Sequence, residues 1–385
     1  MSDSAAALAP GQPEYSNAPA SRRDQARALA RTRRRLFVIS TSLGILAPWA
    51  VWASGLAAAL WASAATLPPW LGLPLYLAEV TLLLMLVGTP LAFYRGYVIG
   101  HRYQLSTQPL SGWLVDWLKT TLLGLALGTA AATALYVTIW HAPSIWWLAF
   151  WVEAIFAMML VTFVAPYVIL PLFFKPRPVG DPGLVMIIEE LVQRAGTTVA
   201  GISRLDFSRR THEANAAVIG FGRSRRVVLA DTLLDSFPAS EIRAVVAHEL
   251  GHHVHRDVIW LLVTQGVVML VGLAVLGTMG DTVFALLGIG SVTDPATFPV
   301  LIAAASIYGL LTLPGINALS RRVEARADTY GHRLLGDGRP FAAAMRRLAD
   351  QNLAEERPPR WAELLLYTHP PIWRRVARAE AAPHG

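Results

Sequence analysis

The chain has 385 residues, 54% of them hydrophobic and 15% charged, where a soluble domain carries about 25% charged residues, so an ordinary soluble protein is excluded. It has no cysteine; disulfides, thiolate metal sites and cysteine nucleophiles are excluded too, and any transition metal must be held by His and carboxylates. The formal net charge of +7 suits either nucleic acid or an anionic membrane surface, and the placement of the charges decides: Lys and Arg are absent from 36–94, 120–174 and 257–320. That pattern argues against nucleic acid and makes membrane lipid the expected partner.

Residues 1–35 read as a disordered basic tail. Its first part is polar and rich in Ala and Pro, and Arg22, Arg23, Arg27, Arg31, Arg33, Arg34 and Arg35 follow, placed to bind anionic lipid and fix topology. Each gap free of Lys and Arg has room for two spans of about 20 residues. Six transmembrane helices are therefore predicted, at 36–60, 73–93, 120–140, 145–170, 258–276 and 298–319. Pro48, Pro90, Pro166 and Pro314 fall in or near them, as membrane helices tolerate. An even number of spans puts both termini on one side, and all 33 basic residues then fall on that side, which the positive-inside rule makes cytoplasmic. The N-terminus shows no cleavable signal pattern, so the first span is expected to stay as an anchor. No internal repeat is visible.

Residues 36–174 thus form an N-terminal membrane domain of four spans. A second domain, 175–385, is interrupted by a two-span hairpin at about 258–319. Apolar 283–289 has the composition of a short interfacial helix without an assigned place. In the second domain Asp181 and Pro182 are the cap and first turn of a helix to Arg194. Short strands are expected at 201–209, 214–221 and 226–229, with a turn at Gly220-Phe221-Gly222. Residues 240–255 read as one helix, and a disordered end is expected from Glu380.

That last helix carries His248-Glu249-Leu250-Gly251-His252. Residues four apart share a helix face, so both imidazoles converge on one ion while the carboxylate between them points to the neighbouring open position. A catalytic zinc takes three protein ligands and a water. The third candidate is Glu324, placed just beyond span six as the His-containing helix is placed just before span five, so the hairpin returns it to the metal. Asp328, one turn on, is positioned to accept a hydrogen bond from a ligand imidazole. Glu249 is the candidate general base, since zinc brings the pKa of its water near 7. For the developing oxyanion the sequence offers His369 and Arg375.

At these residues the chain resembles the CAAX prenyl protease type 1 family, gluzincin-like zinc metalloproteases embedded in membranes. Five stretches carry the resemblance: His248 to His252, Ser320 to Asp328, Asn215-Ala216-Ala217-Val218, Thr368-His369-Pro370-Pro371 followed by Arg375, and Tyr97-Val98-Ile99 leading to Asp116-Trp117-Leu118-Lys119. The metal motifs are shared with bacterial stress-induced membrane proteases of the same superfamily; the 97–119 segment and the four preceding spans favour the prenyl-protease branch. The resemblance implies a mainly α, multi-pass membrane protein with a cytoplasmic α+β zincin-like domain, one Zn2+ per chain, and helices enclosing a hydrated chamber. It implies His248, His252 and Glu324 as ligands, Glu249 as base, and His369 and Arg375 on the tetrahedral intermediate. Asn215 and Ala216 would lie on an edge strand that pairs with substrate backbone; an ordinary strand whose Asn starts a turn is the alternative.

The chain departs from the family in showing six spans where the eukaryotic members have seven. Ala217 stands where an aromatic is common, and His101-Arg102-Tyr103 replaces a more acidic stretch. Its Ala- and Arg-rich composition suits a GC-rich bacterium, hence an inner membrane. The expected substrates are membrane-associated or lipid-modified proteins, with broad membrane-protein quality control as the alternative and an inert scaffold retaining a metal site as a third. Glu79 and Glu153 sit inside spans, where a carboxylate costs about 2.5–3.5 kcal/mol; they either line the chamber or make neutral interhelical hydrogen bonds. His101, His141, His212, His253, His255 and His332 are expected to be surface or hydrogen-bonded residues, not ligands.

Overall fold

In hydrocarbon, a backbone can satisfy its own polar groups by coiling into helices, and six helices are long and apolar enough to cross a membrane in the computed structural model, which describes residues 20–220 and 225–381. The first is α1 (Ala20–Ala53). It turns at Gly55, in the left-handed conformation at φ 77°, into short α2 (Leu56–Ala64). Next, α3 (Pro69–Phe93) runs through a π-helical turn at Tyr94–Val98 into α4 (Ile99–Arg102). The first membrane unit ends with α5 (Leu110–His141) and α6 (Trp146–Val164). After short α7 (Ile169–Phe173) come α8 (Pro182–Arg194), α9 (Asp231–Leu234) and α10 (Ala239–Val254). The returning hairpin is α11 (Asp257–Leu286) and α12 (Phe298–Leu335), and the chain closes with α13 (Arg339–Gln351), α14 (Arg360–Leu366) and α15 (Ile372–Glu380).

The spans pack in the cyclic order α1, α3, α5, α6, α11, α12 and back to α1. Tyr76, Tyr136, Trp146, Phe284 and Phe298, all from the same end of their helices, form a buried cluster that plugs the ring there. Between this plug and the second domain little is buried: Trp146 is the one buried residue of α6, and Gly266 the one of α11 between Asp257 and Gly280. A solid bundle would bury a stripe along every helix, so the ring is hollow at mid-depth.

Three expectations need correction. Residues 20–35 are not a tail but the first turns of α1, because the arginines there are good helix formers and are tied to the second domain: Arg22 donates to the Asp350 carbonyl at 2.9 Å, and Arg33 and Arg34 pair with Glu213 and Glu355. Residues 1–19 lie outside the described chain. Residues 283–286 are the last turn of α11 and not a separate interfacial helix. The end of the chain is helical through Glu380, which pairs with Arg346, and 382–385 lie outside the described residues.

The second domain contains a four-stranded sheet of β1 (Arg177–Pro178), β2 (Gly201–Leu205), β3 (Ala216–Ile219) and β4 (Arg226–Ala230), in the order β1-β2-β4-β3. The strands are shorter than expected, and Phe221 and Gly222 of the predicted turn lie outside the described residues. β2 and β4 are parallel; β3 runs antiparallel to β4 with Ala216 opposite Leu229 and stands at the sheet edge. The core between sheet and helices includes Leu184, Ile188 and Leu191 of α8, Leu229 of β4, and Val246 and Leu250 of α10. Asp181 caps α8 as expected, accepting from the Gly183 and Leu184 amides.

Candidate metal centre

Two helices carry the centre, and glycine lets them meet. A Cβ on Gly251 would lie 3.1 Å from the Ala327 backbone of α12, and one on Gly331 would lie 3.1 Å from the His248 amide of α10. The backbones of α10 and α12 therefore touch at the level of the HExxH turn, and this contact brings Glu324 beside both imidazoles.

His248, His252 and Glu324 each offer one ligand atom, and the three lie within 4.8 Å of one another. The Nε2 atoms of His248 and His252 are 3.2 Å apart, and the Glu324 oxygens lie 3.4 and 3.5 Å from them. Each imidazole turns its other nitrogen to a buried carboxylate: His248 Nδ1 to Asp328 at 2.8 Å, and His252 Nδ1 to Asp257 at 2.9 Å. These bonds put the proton on Nδ1 and aim both Nε2 lone pairs at one point. Lone pairs facing each other at such distances call for a cation between them.

Two further features fit a divalent ion. Glu324 Oε2 is buried and makes no hydrogen bond. Burial works against a charge on His248, yet the neighbouring carboxylates of Asp328 and Glu324 outweigh that and push its pKa up to about 9. The pocket is short of positive charge. A nitrogen and carboxylate set of this kind, without sulfur, matches the His2Glu site of catalytic zinc.

Around the ligands, Glu249 is half-buried, and no hydrogen bond or ion pair engages its carboxylate among the described residues; burial raises its pKa, against the pull of His248 and His252. A raised carboxylate pKa is what a base returning a proton near neutrality needs. His369 is exposed, with Nε2 3.2 Å from Glu324 Oε1, and Thr368 bonds its Nδ1 at 2.8 Å. The loop carrying it is fastened to α12: Arg321 donates to the Glu363 and Tyr367 carbonyls at 2.9 and 2.7 Å, and Asn317 to the Leu365 carbonyl at 2.6 Å.

Arg375 is placed differently from the sequence expectation. It is 7% exposed, bidentate on Asp328 at 2.6 and 3.0 Å, and stacked over Phe341. Two of its nitrogens are spent on the carboxylate that orients His248, so it stands in the layer behind the ligands and not beside His369 on the exposed side.

Sequence reasoning missed Asp257. It is 1% exposed, sits at the first position of α11, and is also bound by Arg326. Its signal was an acidic residue at the mouth of a span, five residues past His252. Two residues, His255 and Arg256, separate α10 from α11, and Arg256 at φ 56° turns Asp257 back toward His252. Among the described residues, the six other histidines lie outside the cluster. His253 has a definite partner: its Nε2 lies 2.8 Å from the Val218 carbonyl of β3. His255 and His141 bond carbonyls one turn back, as does His101.

At the sheet edge, Asn215 is exposed, its carbonyl accepts from the Ala230 amide at 2.9 Å, and its side chain accepts from the Ala216 amide at 2.8 Å. Backbone groups alternate along a strand, so with Asn215 bonded to β4, Ala216 and Val218 face the open edge; the Ala216 amide is taken by Asn215 and the Val218 carbonyl by His253, which leaves the Ala216 carbonyl and the Val218 amide on that side.

The family model for Peptidase family M48 matches residues 179–382, more than half of the chain. The chain belongs to peptidase family M48. A second family model, the CAAX prenyl protease N-terminal region with five membrane helices, matches residues 16–175, where the structure has four candidate spans and short α2. Among similar proteins, an uncharacterized metalloprotease of Bacillus subtilis is 28% identical over 78% of this chain and 71% of its own. CAAX prenyl protease 1 of Saccharomyces cerevisiae is 27% identical over 78% of this chain and 70% of its own. The crystal structure of S. mikatae Ste24p superposes with a TM-score of 0.82 at 21% identity, covering 94% of this chain and 89% of that one; this likeness shows the fold. The M48 chain is thus a multi-pass integral membrane metalloprotease of the CAAX prenyl protease type, acting on peptide or protein substrates.

Proposed function

We propose that the chain is a zinc endopeptidase cleaving membrane-associated or lipid-modified proteins at the cytoplasmic surface of a bacterial inner membrane. The observation that carries this reading is the convergence on one point of two imidazole Nε2 atoms and a buried Glu324 oxygen that makes no hydrogen bond, at the mouth of a hollow membrane ring. The all-basic flank of the spans argues for the cytoplasmic orientation.

His248, His252 and Glu324 hold the ion. Zinc, when bound, polarises the scissile carbonyl and acidifies its water. Glu249 takes the proton of the attacking water and passes it to the leaving amine. His369 Nε2–H donates to the developing oxyanion. Asp328 and Asp257 keep the two imidazoles in the ligating tautomer, and Arg375 holds Asp328. An extended peptide pairs with the Ala216 carbonyl and the Val218 amide, a recognition that depends on backbone and not on sequence.

His253 belongs to this pairing edge because it ties β3 to the metal helix. Its replacement by Ala is expected to raise KM for extended peptides about two- to tenfold, the worth of one hydrogen bond of ~0.5–1.5 kcal/mol, with kcat and metal content unchanged. A fall in kcat with unaltered KM would contradict that role.

Glu153 is exposed, and both its oxygens lie 3.0 Å from the Thr138 hydroxyl; Glu79 is half-buried. A lipid-facing carboxylate is costly, so both are assigned to the hollow interior. Leu at both positions should slow turnover of membrane-derived substrates while leaving a short soluble peptide untouched; equal kinetics on both substrate types would remove them from the chamber.

The test of the proposal is metal analysis of purified protein together with mass spectrometry of membranes holding active or Glu249→Gln enzyme. One zinc per chain and accumulation of a few uncleaved membrane proteins are expected. Absence of zinc overturns the metal assignment, and broad accumulation of fragments from unrelated membrane proteins replaces maturation by quality control.

A further inference from the structure

A cavity of about 540 Å³ opens between α1 and α3, with α12 behind it. Its walls run along α1 from Leu36 to Pro48 and from Leu84 of α3 to Gly96 of the π-helical turn, with Ile302 and Ser306 at the back. At 1.5 Å per residue these stretches are about 16–18 Å long. That is the hydrocarbon depth of one leaflet, half of about 30 Å.

The lining is apolar apart from Ser40, Ser306 and Arg95. Both hydroxyls are spent on main-chain carbonyls, Ser40 on Phe37 and Ser306 on Ile302 and Gly44. Apart from Arg95 at one end, the wall offers no free side-chain partner to a polar guest, and a peptide there would leave most of its amides and carbonyls unpaired in an apolar space. A hydrocarbon chain has no such groups. Gly44 and Gly88 leave the space open, for a Cβ on either would meet nothing within 4 Å.

Arg95 stands at the end of the cavity nearest the catalytic domain. It lies in the π-helical turn Tyr94–Val98, is exposed, and has no hydrogen bond or ion pair among the described residues. An unpaired guanidinium at the level where hydrocarbon ends is placed for a phosphate. Exposed Arg31 and Arg35, at the same end of α1, are likewise without partners among the described residues.

We propose that the cleft between α1 and α3 binds one anionic phospholipid from the leaflet next to the catalytic domain, with an acyl chain along Gly44 and Gly88 and the phosphate on Arg95. Leu36 lines the cleft and also packs in the cluster with Leu29, Ile99, Leu105 and Leu353 that joins α1 and α3 to the catalytic domain. The bound lipid therefore braces the junction on which the catalytic domain stands, whatever the enzyme cleaves.

The experiment is native mass spectrometry of the full chain released from nanodiscs of phosphatidylglycerol and phosphatidylcholine, with thermal unfolding measured as phosphatidylglycerol is added. Wild type should retain one phosphatidylglycerol and melt at a higher temperature with it. Arg95→Gln should weaken retention about 10- to 100-fold, the loss of a charged hydrogen bond, and Arg95→Lys less. Gly88→Leu, which adds bulk where space is open and favours helix, should abolish retention while the protein still folds; if that variant fails to fold, Gly44→Leu serves in its place. Equal retention of phosphatidylcholine, unchanged retention in Arg95→Gln and the filled variant, or a substrate-linked lipid chain in the cleft in place of phospholipid would each overturn the proposal.

Discussion

Glu249→Gln is expected to keep its metal and lose its turnover, with kcat falling by about 10² to 10⁴, the usual worth of general acid–base catalysis. The amide matches the carboxylate in size, and residue 249 supplies none of the three converging ligand atoms, so the ion should stay at full stoichiometry. What disappears is the acceptor for the water's proton. Burial already raises the Glu249 pKa, which narrows the gap between the base and a metal-bound water near 7, so the wild-type carboxylate is tuned to take the proton and give it back. The measurement pairs zinc content with single-turnover cleavage of a peptide. A variant with full zinc and wild-type rates would show that another group is the base; a variant without zinc would show that residue 249 helps to hold the ion.

The membrane ring was legible because nothing else explains apolar runs free of Lys and Arg, and the ligands were legible because four-residue spacing on a helix has one geometric meaning. Glu324 was found by its symmetric position across the hairpin. What escaped depended on contacts between distant segments. Asp257 reaches His252 because one non-glycine residue, Arg256, adopts a left-handed conformation, and no local propensity announces that. Residues 20–35 read as a tail because seven arginines in a row of turns look solvated; their partners Glu213, Asp350 and Glu355 lie some hundreds of residues away along the chain. The glycine in the HExxH turn read as a filler between two histidines, whereas a side chain there would strike Ala327 of α12. Residue 251 therefore decides whether Glu324 can reach the metal.

Arg375 is where chemistry read from the sequence and geometry part company, and Arg375→Leu separates them. A guanidinium that bound the oxyanion would point to the exposed side, and its loss would lower kcat at full metal occupancy with little effect on folding. In the structure it is buried, bidentate on Asp328, and 3.8 Å from Glu324 Oε2. Removing it leaves the Asp328 carboxylate, 1% exposed, with His248 as its remaining partner, and breaking a buried ion pair this way costs about 3–5 kcal/mol of stability. The freed carboxylate can also rotate away from His248 Nδ1, which loosens the ligand and lowers metal affinity about 10- to 100-fold. The expected signature is a lower unfolding temperature and weakened zinc retention under a competing chelator, with kcat largely restored in excess zinc. Lys in place of Leu keeps the charge without the fork geometry and should restore part of the stability. Normal zinc retention and stability alongside a kcat that excess zinc cannot restore would return Arg375 to the oxyanion.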